Sequence, residues 1–253
     1  MSDDLQGGSP APLPIAPQPA GPGGLAALTG MFFQPSASFK ALAAKPLFLW
    51  PLITIIVVAL ASQVVLLPRL DMEGTIREGL ERFGQSGKMT DQQIHEAATS
   101  QGTMQKIVQV AGPLFAIPMG LLVLSLVYML GLKVVGSTAS YDRVLAVVAH
   151  ATAPPAVVKP LLTMVVGFQR ESFTAMEMEN LLKSNVGAWL GTEAPKALVA
   201  LGSVLDIFNL WLWVLLVLGL SIVGRVSRSA AAGVVAALWG LYTLARVGFA
   251  LLF

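Results

Sequence analysis

The chain has no cysteine and only two histidines, His95 and His150, among its 253 residues. Disulfides, thiolate metal sites and cysteine nucleophiles are therefore excluded, and no HExxH pairing of histidines is present to build a zinc hydrolase. Charge is scarce as well: Asp, Glu, Lys and Arg make up 12% of the residues, against roughly 25% in an ordinary soluble domain. No run of four or more Lys or Arg occurs, so a net charge of +2 builds no nucleic-acid face. Paired carboxylates, serine–histidine groupings and metal-ligand sets are also missing, which argues against an enzyme and leaves no cofactor to expect.

What is there is apolar. Hydrophobic residues account for 55% of the chain, and five long stretches nearly free of charge run from Leu47 to Leu67, Ile107 to Leu132, Val144 to Val166, Ala197 to Gly224 and Ser229 to Phe253. Each has the roughly 20 residues a helix needs to cross a hydrocarbon core of about 30 Å. None alternates in and out as a bilayer-spanning strand would. The chain reads as an all-α polytopic membrane protein, a bundle of five transmembrane helices.

Residues 1–24 hold six prolines and five glycines and almost no large apolar side chain, so they read as a disordered tail. Asp3 and Asp4 stand where a signal peptide carries basic residues, so insertion is expected through the first span. Residues 25–46 are too short and too interrupted to cross a membrane. They read as an amphipathic interfacial segment, with Phe32, Phe33 and Phe39 facing lipid beside Lys40 and Lys45, or as a segment packed on its own bundle. The spans, residues 47–253, form the membrane domain.

Orientation follows from the basic residues of the short connections. Lys40 and Lys45 precede span one, Lys133 and Arg143 bracket the second connection, and Arg225 and Arg228 fill the fourth. The longer connections are slightly acidic: residues 68–106 hold five basic and six acidic groups, and residues 167–196 hold three and four. The positive-inside rule then puts the N-terminus in and the C-terminus out, in a cell (inner) membrane. The long connections are expected to be partly helical, with capping boxes at Thr90/Gln93 and Thr174/Glu177.

Ionisable residues inside a membrane are costly and by default face a partner or a wet cavity. At 1.5 Å per residue, Lys159, Asp206 and Arg246 all fall roughly 10 to 13 Å below the outer boundary, which predicts a charge cluster joining spans three, four and five. Asn209 shares the face of Asp206 at i,i+3. His150 lies on the inner half of span three, shortly before Pro154 and Pro155, which kink or break the helix. Trp211, Trp213 and Trp239 fall well inside the bilayer, and Ala232, Ala236 and Gly240 make a small-residue face on span five for close helix packing.

The stretch FFQPSASFKALAAKPLFLWPL before and into span one is similar to the entry of bacterial members of the Yip family, the Ypt/Rab-interacting proteins. GSTASYDRVLAVVAHATAPPAVV, leading into span three, and VLDIFNLWLWVLLVLGL in span four carry the same resemblance, over residues 31–253. It implies five spans with a cytoplasmic N-terminus and, from eukaryotic relatives, membrane shaping and binding of prenylated small GTPases. The short polar signature common in their cytoplasmic segment is not recognisable here.

The expected function is a non-enzymatic, membrane-organising or partner-recruiting scaffold. The alternative is a small transporter or channel that uses the span-three kink and the charge cluster. A reporter active only in the cytoplasm should work when fused after residue 138 or 227 and stay silent after residue 88 or 185. Activity at 88 with silence at 138 would invert the orientation.

Overall fold

The structure is a computed structural model, which describes residues 23–190 and 194–252. All of the expected tail except Gly23 and Gly24 lies outside the described residues. In chain order the α-helices are α1 Gly24–Phe33, α2 Pro35–Ala44, α3 Leu49–Leu66, α4 Met72–Arg82, α5 Asp91–Val134, α6 Tyr141–Phe168, α7 Ala175–Glu179, α8 Lys196–Val204, α9 Ile207–Gly224 and α10 Arg228–Leu252. Short 3-10 turns lie at Leu67–Arg69 and Val186–Trp189. Five segments are long and apolar enough to cross a membrane: Leu49–Arg69, Ile107–Val134, Tyr141–Phe168, Ile207–Gly224 and Arg228–Leu251.

α6 is the axis of the bundle. Of its most apolar stretch 61% is buried, whereas no other span exceeds 39%, and it packs on α3, α5 and α9. Small residues allow this. Ala146, Ala149, Ala151 and Ala153 are fully buried, so neighbouring backbones come close where lipid offers no hydrophobic drive for association. From α9, Gly219 meets the same surface, and a Cβ placed on it would come within 2.5 Å of Val147 and 2.8 Å of Phe39.

That contact settles the role of one aromatic before span one. Phe39 is fully buried with Leu42, Ala27 and Met31 in the main core cluster, so α1 and α2 pack on the bundle and Phe39 is not a lipid anchor. Phe32 and Phe33 keep 38% and 85% exposure.

Three expected element boundaries change. The helix opened by the Thr90 capping box does not end before span two; α5 runs unbroken for 44 residues through Pro113 and Pro118. Such a helix is roughly 66 Å long, about twice a hydrocarbon core, so its first half stands clear of the apolar layer, with α4 beside it. α6 is likewise continuous through Pro154, Pro155 and Pro160. The span read from Ala197 to Gly224, in contrast, is two helices, broken at Leu205 and Asp206.

The two ends of the bundle are built differently. α5 ends on Gly136, with φ of 85°, and α9 ends on Arg225, with φ of 52°. Ser137 links these turns by donating its hydroxyl to the Gly224 carbonyl at 2.9 Å. At the other end the two long connections pair through a bridge between Leu70 and Phe173, and the Ala175 N–H donates to the Thr75 hydroxyl at 3.0 Å.

Gly219→Ala should lower the melting temperature in detergent by several degrees, because overpacking costs about 1–3 kcal/mol and outweighs the roughly 1 kcal/mol gain in helix propensity. Gly233→Ala, where a new Cβ meets nothing within 4 Å, should leave it unchanged or higher. Equal effects of the two would mean that the α6–α9 approach is looser than described.

Candidate functional site

The break between α8 and α9 positions the most constrained polar group among the spans. Asp206 is extended, and the chain here pairs with the preceding connection: Val186 N–H donates to the Leu205 carbonyl at 3.2 Å and Ile207 N–H to the Ser184 carbonyl at 3.1 Å. Asp206 is therefore the N-cap of α9 and not a mid-span residue. Its Oδ1 accepts from the Phe208 N–H at 2.8 Å, as a helix start requires. Its Oδ2 accepts from Lys159 Nζ at 2.7 Å and from the Ser184 hydroxyl at 2.8 Å.

The pair is asymmetric. The Asp206 side chain is 3% exposed and that of Lys159 is 39% exposed, so the carboxylate is embedded and the ammonium reaches it from a wetter side, close to the Phe208 ring. Burial works against the charged carboxylate, and the Lys159 ammonium, the Phe208 N–H and the Ser184 hydroxyl compensate it.

A cleft of about 450 Å³ opens onto this pair. Its walls come from α3 (Ser62, Gln63), α6 (Lys159, Thr163), the α7 end (Glu179, Asn180), the α8–α9 junction and Arg246 of α10. No residue of α6 before Lys159 lines it. Below it the α6 segment Val144–Ala151 is almost wholly solvent-free. The cleft is thus lined by the second long connection and closed by apolar packing toward the short ones. Among the described residues no group of three or more His, Asp or Glu side chains is placed to hold a metal ion.

A family model, the Yip1 domain, matches residues 29–249. The chain belongs to the Yip1-domain family. No curated protein and no solved structure matches it significantly. The family match and the five apolar helices together make it an integral, multi-pass membrane protein.

Within this Yip1 domain the expected charge cluster divides. Lys159 and Asp206 form the pair; Arg246 lines the same cleft but meets the Tyr242 hydroxyl at 3.3 Å and no carboxylate among the described residues. Asn209 also lines the cleft, and its Nδ2 donates to the Val204 carbonyl at 3.1 Å across the helix break. His150 is elsewhere. It is fully buried, its Nδ1 donates to the Ala146 carbonyl at 2.9 Å, and it takes no part in the cleft.

The expected packing row on α10 is not the one that faces the bundle. Ala231, Val234 and Val235 are buried there, whereas Ala232 is only half-buried, Ala236 is exposed and a Cβ on Gly240 would meet nothing within 4 Å. Trp213 and Trp239 pack together with ring centroids 4.6 Å apart, and Trp211 meets Phe32 edge-on. Ser184, Asn185 and Glu179 belong to the site and were not singled out from sequence. For Ser184 and Asn185 a Ser or Asx residue between helices was the only local signal, and such residues are common in loops; Glu179 was one acidic residue of a short outer helix.

Asp206→Ala should destabilise the domain by roughly 2 kcal/mol, less than the 3–5 of a fully enclosed pair, because Lys159 retains access to water. Asp206→Asn keeps the cap and should cost less. Double-mutant cycles should give clear coupling of Asp206 with Lys159 and none with Arg246; the reverse would reinstate the three-membered cluster.

Proposed function

We propose that this Yip1-domain protein is a non-enzymatic scaffold that organises membrane or recruits a protein partner, with its N-terminus in the cytoplasm and its basic short connections on that side. The observation that carries the reading is the blind end of the cleft. A carrier or channel needs a polar route that reaches a central site from both sides in turn. Here the polar lining stops at Lys159, Asp206 and Asn209, and beyond it Val144, Val147, Val148, Leu216 and Leu220 are fully buried. His150 is enclosed in that dry region and hydrogen-bonded to its own helix.

Two further features favour recruitment over catalysis or transport. The short connections are compact and carry the basic residues Lys133, Arg225 and Arg228, a surface for anionic headgroups or an acidic partner segment. The proline-bearing α6 is held on three sides by other helices, which suits a fixed frame. The family's link to small GTPases supports a protein partner of that general kind without naming one.

Photo-crosslinkers placed at residues 138 and 227 in native membranes should yield discrete protein adducts. The purified chain in proteoliposomes should pass no ions or small solutes faster than empty vesicles. Measurable flux that Asp206→Asn abolishes while the fold is retained would replace the scaffold by a transporter.

A further inference from the structure

The polar cleft is built from membrane-spanning helices, yet not all of its charge is internally matched. Lys159 and Asp206 neutralise each other. Arg246 and Glu179, which also line the cleft, form no ion pair among the described residues, and both are exposed. Ser62 is 8% exposed and lines the same space, and its hydroxyl has no hydrogen-bond partner among the described residues. Within those residues the cleft thus offers a cation and an anion to an incoming molecule, while the Ser62 hydroxyl is buried in its wall.

The surroundings say what kind of molecule meets those groups. The spans that line the cleft also carry exposed apolar side chains close in sequence to its lining residues: Val64 next to Gln63 is 72% exposed, Phe249 three residues after Arg246 is 62% exposed, and Leu162 three residues after Lys159 is 45% exposed. These residues lie on spans α3, α10 and α6, so in a bilayer acyl chains cover them. A ligand arriving through the bilayer would lay apolar chains along those spans and place a polar head inside the cleft. The volume of about 450 Å³ lies within the roughly 300–1,000 Å³ of small-molecule sites.

Charge selects the head. The four ionisable cleft residues, Lys159, Arg246, Asp206 and Glu179, sum to zero at neutral pH. A head with net negative charge would be drawn to Arg246 but repelled by Glu179, and one with both signs satisfies both. The geometry points to a built site for the headgroup of a zwitterionic phospholipid, with the phosphate on the Arg246 guanidinium and a primary ammonium on Glu179. A guanidinium suits phosphate by its fixed fork of donors. A primary ammonium brings three donors, which a carboxylate and the neighbouring Asn180 side-chain oxygen can accept. The lipid site does not rest on the scaffold reading, since an annular lipid held at one fixed place is compatible with any activity.

The test uses the full chain, delipidated in mild detergent and titrated with phosphatidylethanolamine or phosphatidylglycerol of identical acyl chains, with bound lipid counted by native mass spectrometry. The intact chain should hold the ethanolamine lipid about tenfold more tightly, the worth of one charge-assisted contact. Arg246→Gln should weaken that binding about tenfold, and Arg246→Lys should recover part of it. Glu179→Gln leaves the cleft with a net positive charge and should abolish or reverse the preference for ethanolamine over glycerol. Both side chains are exposed, so melting temperatures should stay at the native value; Glu179→Asp provides a second reading of the same contact if Glu179→Gln is poorly folded. Equal affinity of the intact chain for the two lipids would overturn the proposal, as would native-like selectivity in Glu179→Gln together with native affinity in Arg246→Gln. Free phosphoethanolamine should compete only at far higher concentration than the lipid; competition at equal concentration would identify a site for a soluble ligand and also overturn it. Loss of lipid selectivity with unchanged crosslinked partners would leave the scaffold standing, and loss of the partners alone would leave the lipid site standing.

Discussion

A helix that begins at Ile207 leaves its first N–H groups without carbonyl partners, at a place where an apolar layer denies them dependable water. Asp206 answers with one carboxylate used in two directions. One oxygen caps α9 through Phe208; the other gathers the Lys159 ammonium from α6 and the Ser184 hydroxyl from the preceding connection. The start of α9, the rotation of α6 about its axis and the return path of the connection therefore depend on a single side chain. The backbone pairing of Ser184–Val186 with Leu205–Ile207 accompanies this arrangement and closes further donors.

The opposite end solves its own backbone problem without charge. Left-handed residues Gly136 and Arg225 end α5 and α9, and the Ser137 hydroxyl joins the two turns. Compact turns of this kind need few residues and hold the helix ends close together. Polarity along α6 follows the same gradient: Val144 to Ala151 is dry, Lys159 is wet, and the helix carries its three prolines, Pro154, Pro155 and Pro160, across the transition.

Features fixed by local chemistry were legible in the sequence. The capping boxes at Thr90 and Thr174 formed as read, and five apolar helices appeared because no other element of this composition satisfies its backbone in lipid. The Lys159–Asp206 partnership was legible because a short-chained charge among apolar residues needs a counter-ion. Its setting was not. Ala197–Val204 holds no charge and reads as one run with Ile207–Gly224, and the break depends on pairing with Ser184–Val186, a tertiary contact with no periodic signature. Counting residues gave Arg246 an axial level but not its azimuth, so it reached the cleft without reaching the carboxylate. The same limit explains α10, where Ala231, Val234 and Val235 face the bundle in place of Ala232, Ala236 and Gly240. Phe39 had an apolar face whose partner, bilayer or bundle, depends on Gly219 far along the chain.

These contrasts set where the molecule is able to move. Shifting α6 would part fully buried alanines from α3 and α9 and forfeit close packing at the centre of the bundle, a cost that rises with each alanine uncovered. Around the cleft only α7 is bound lightly: it is a single short helix packed on α4, whereas α8 is held by α10 and by the close approach of Gly202 to Gly187. Sparse packing marks the segments that open at least cost. A molecule seated against Arg246 and Glu179 would therefore shift α7 on a frame of spans that stays in place, because a ligand moves an equilibrium only where its contacts differ between the two states.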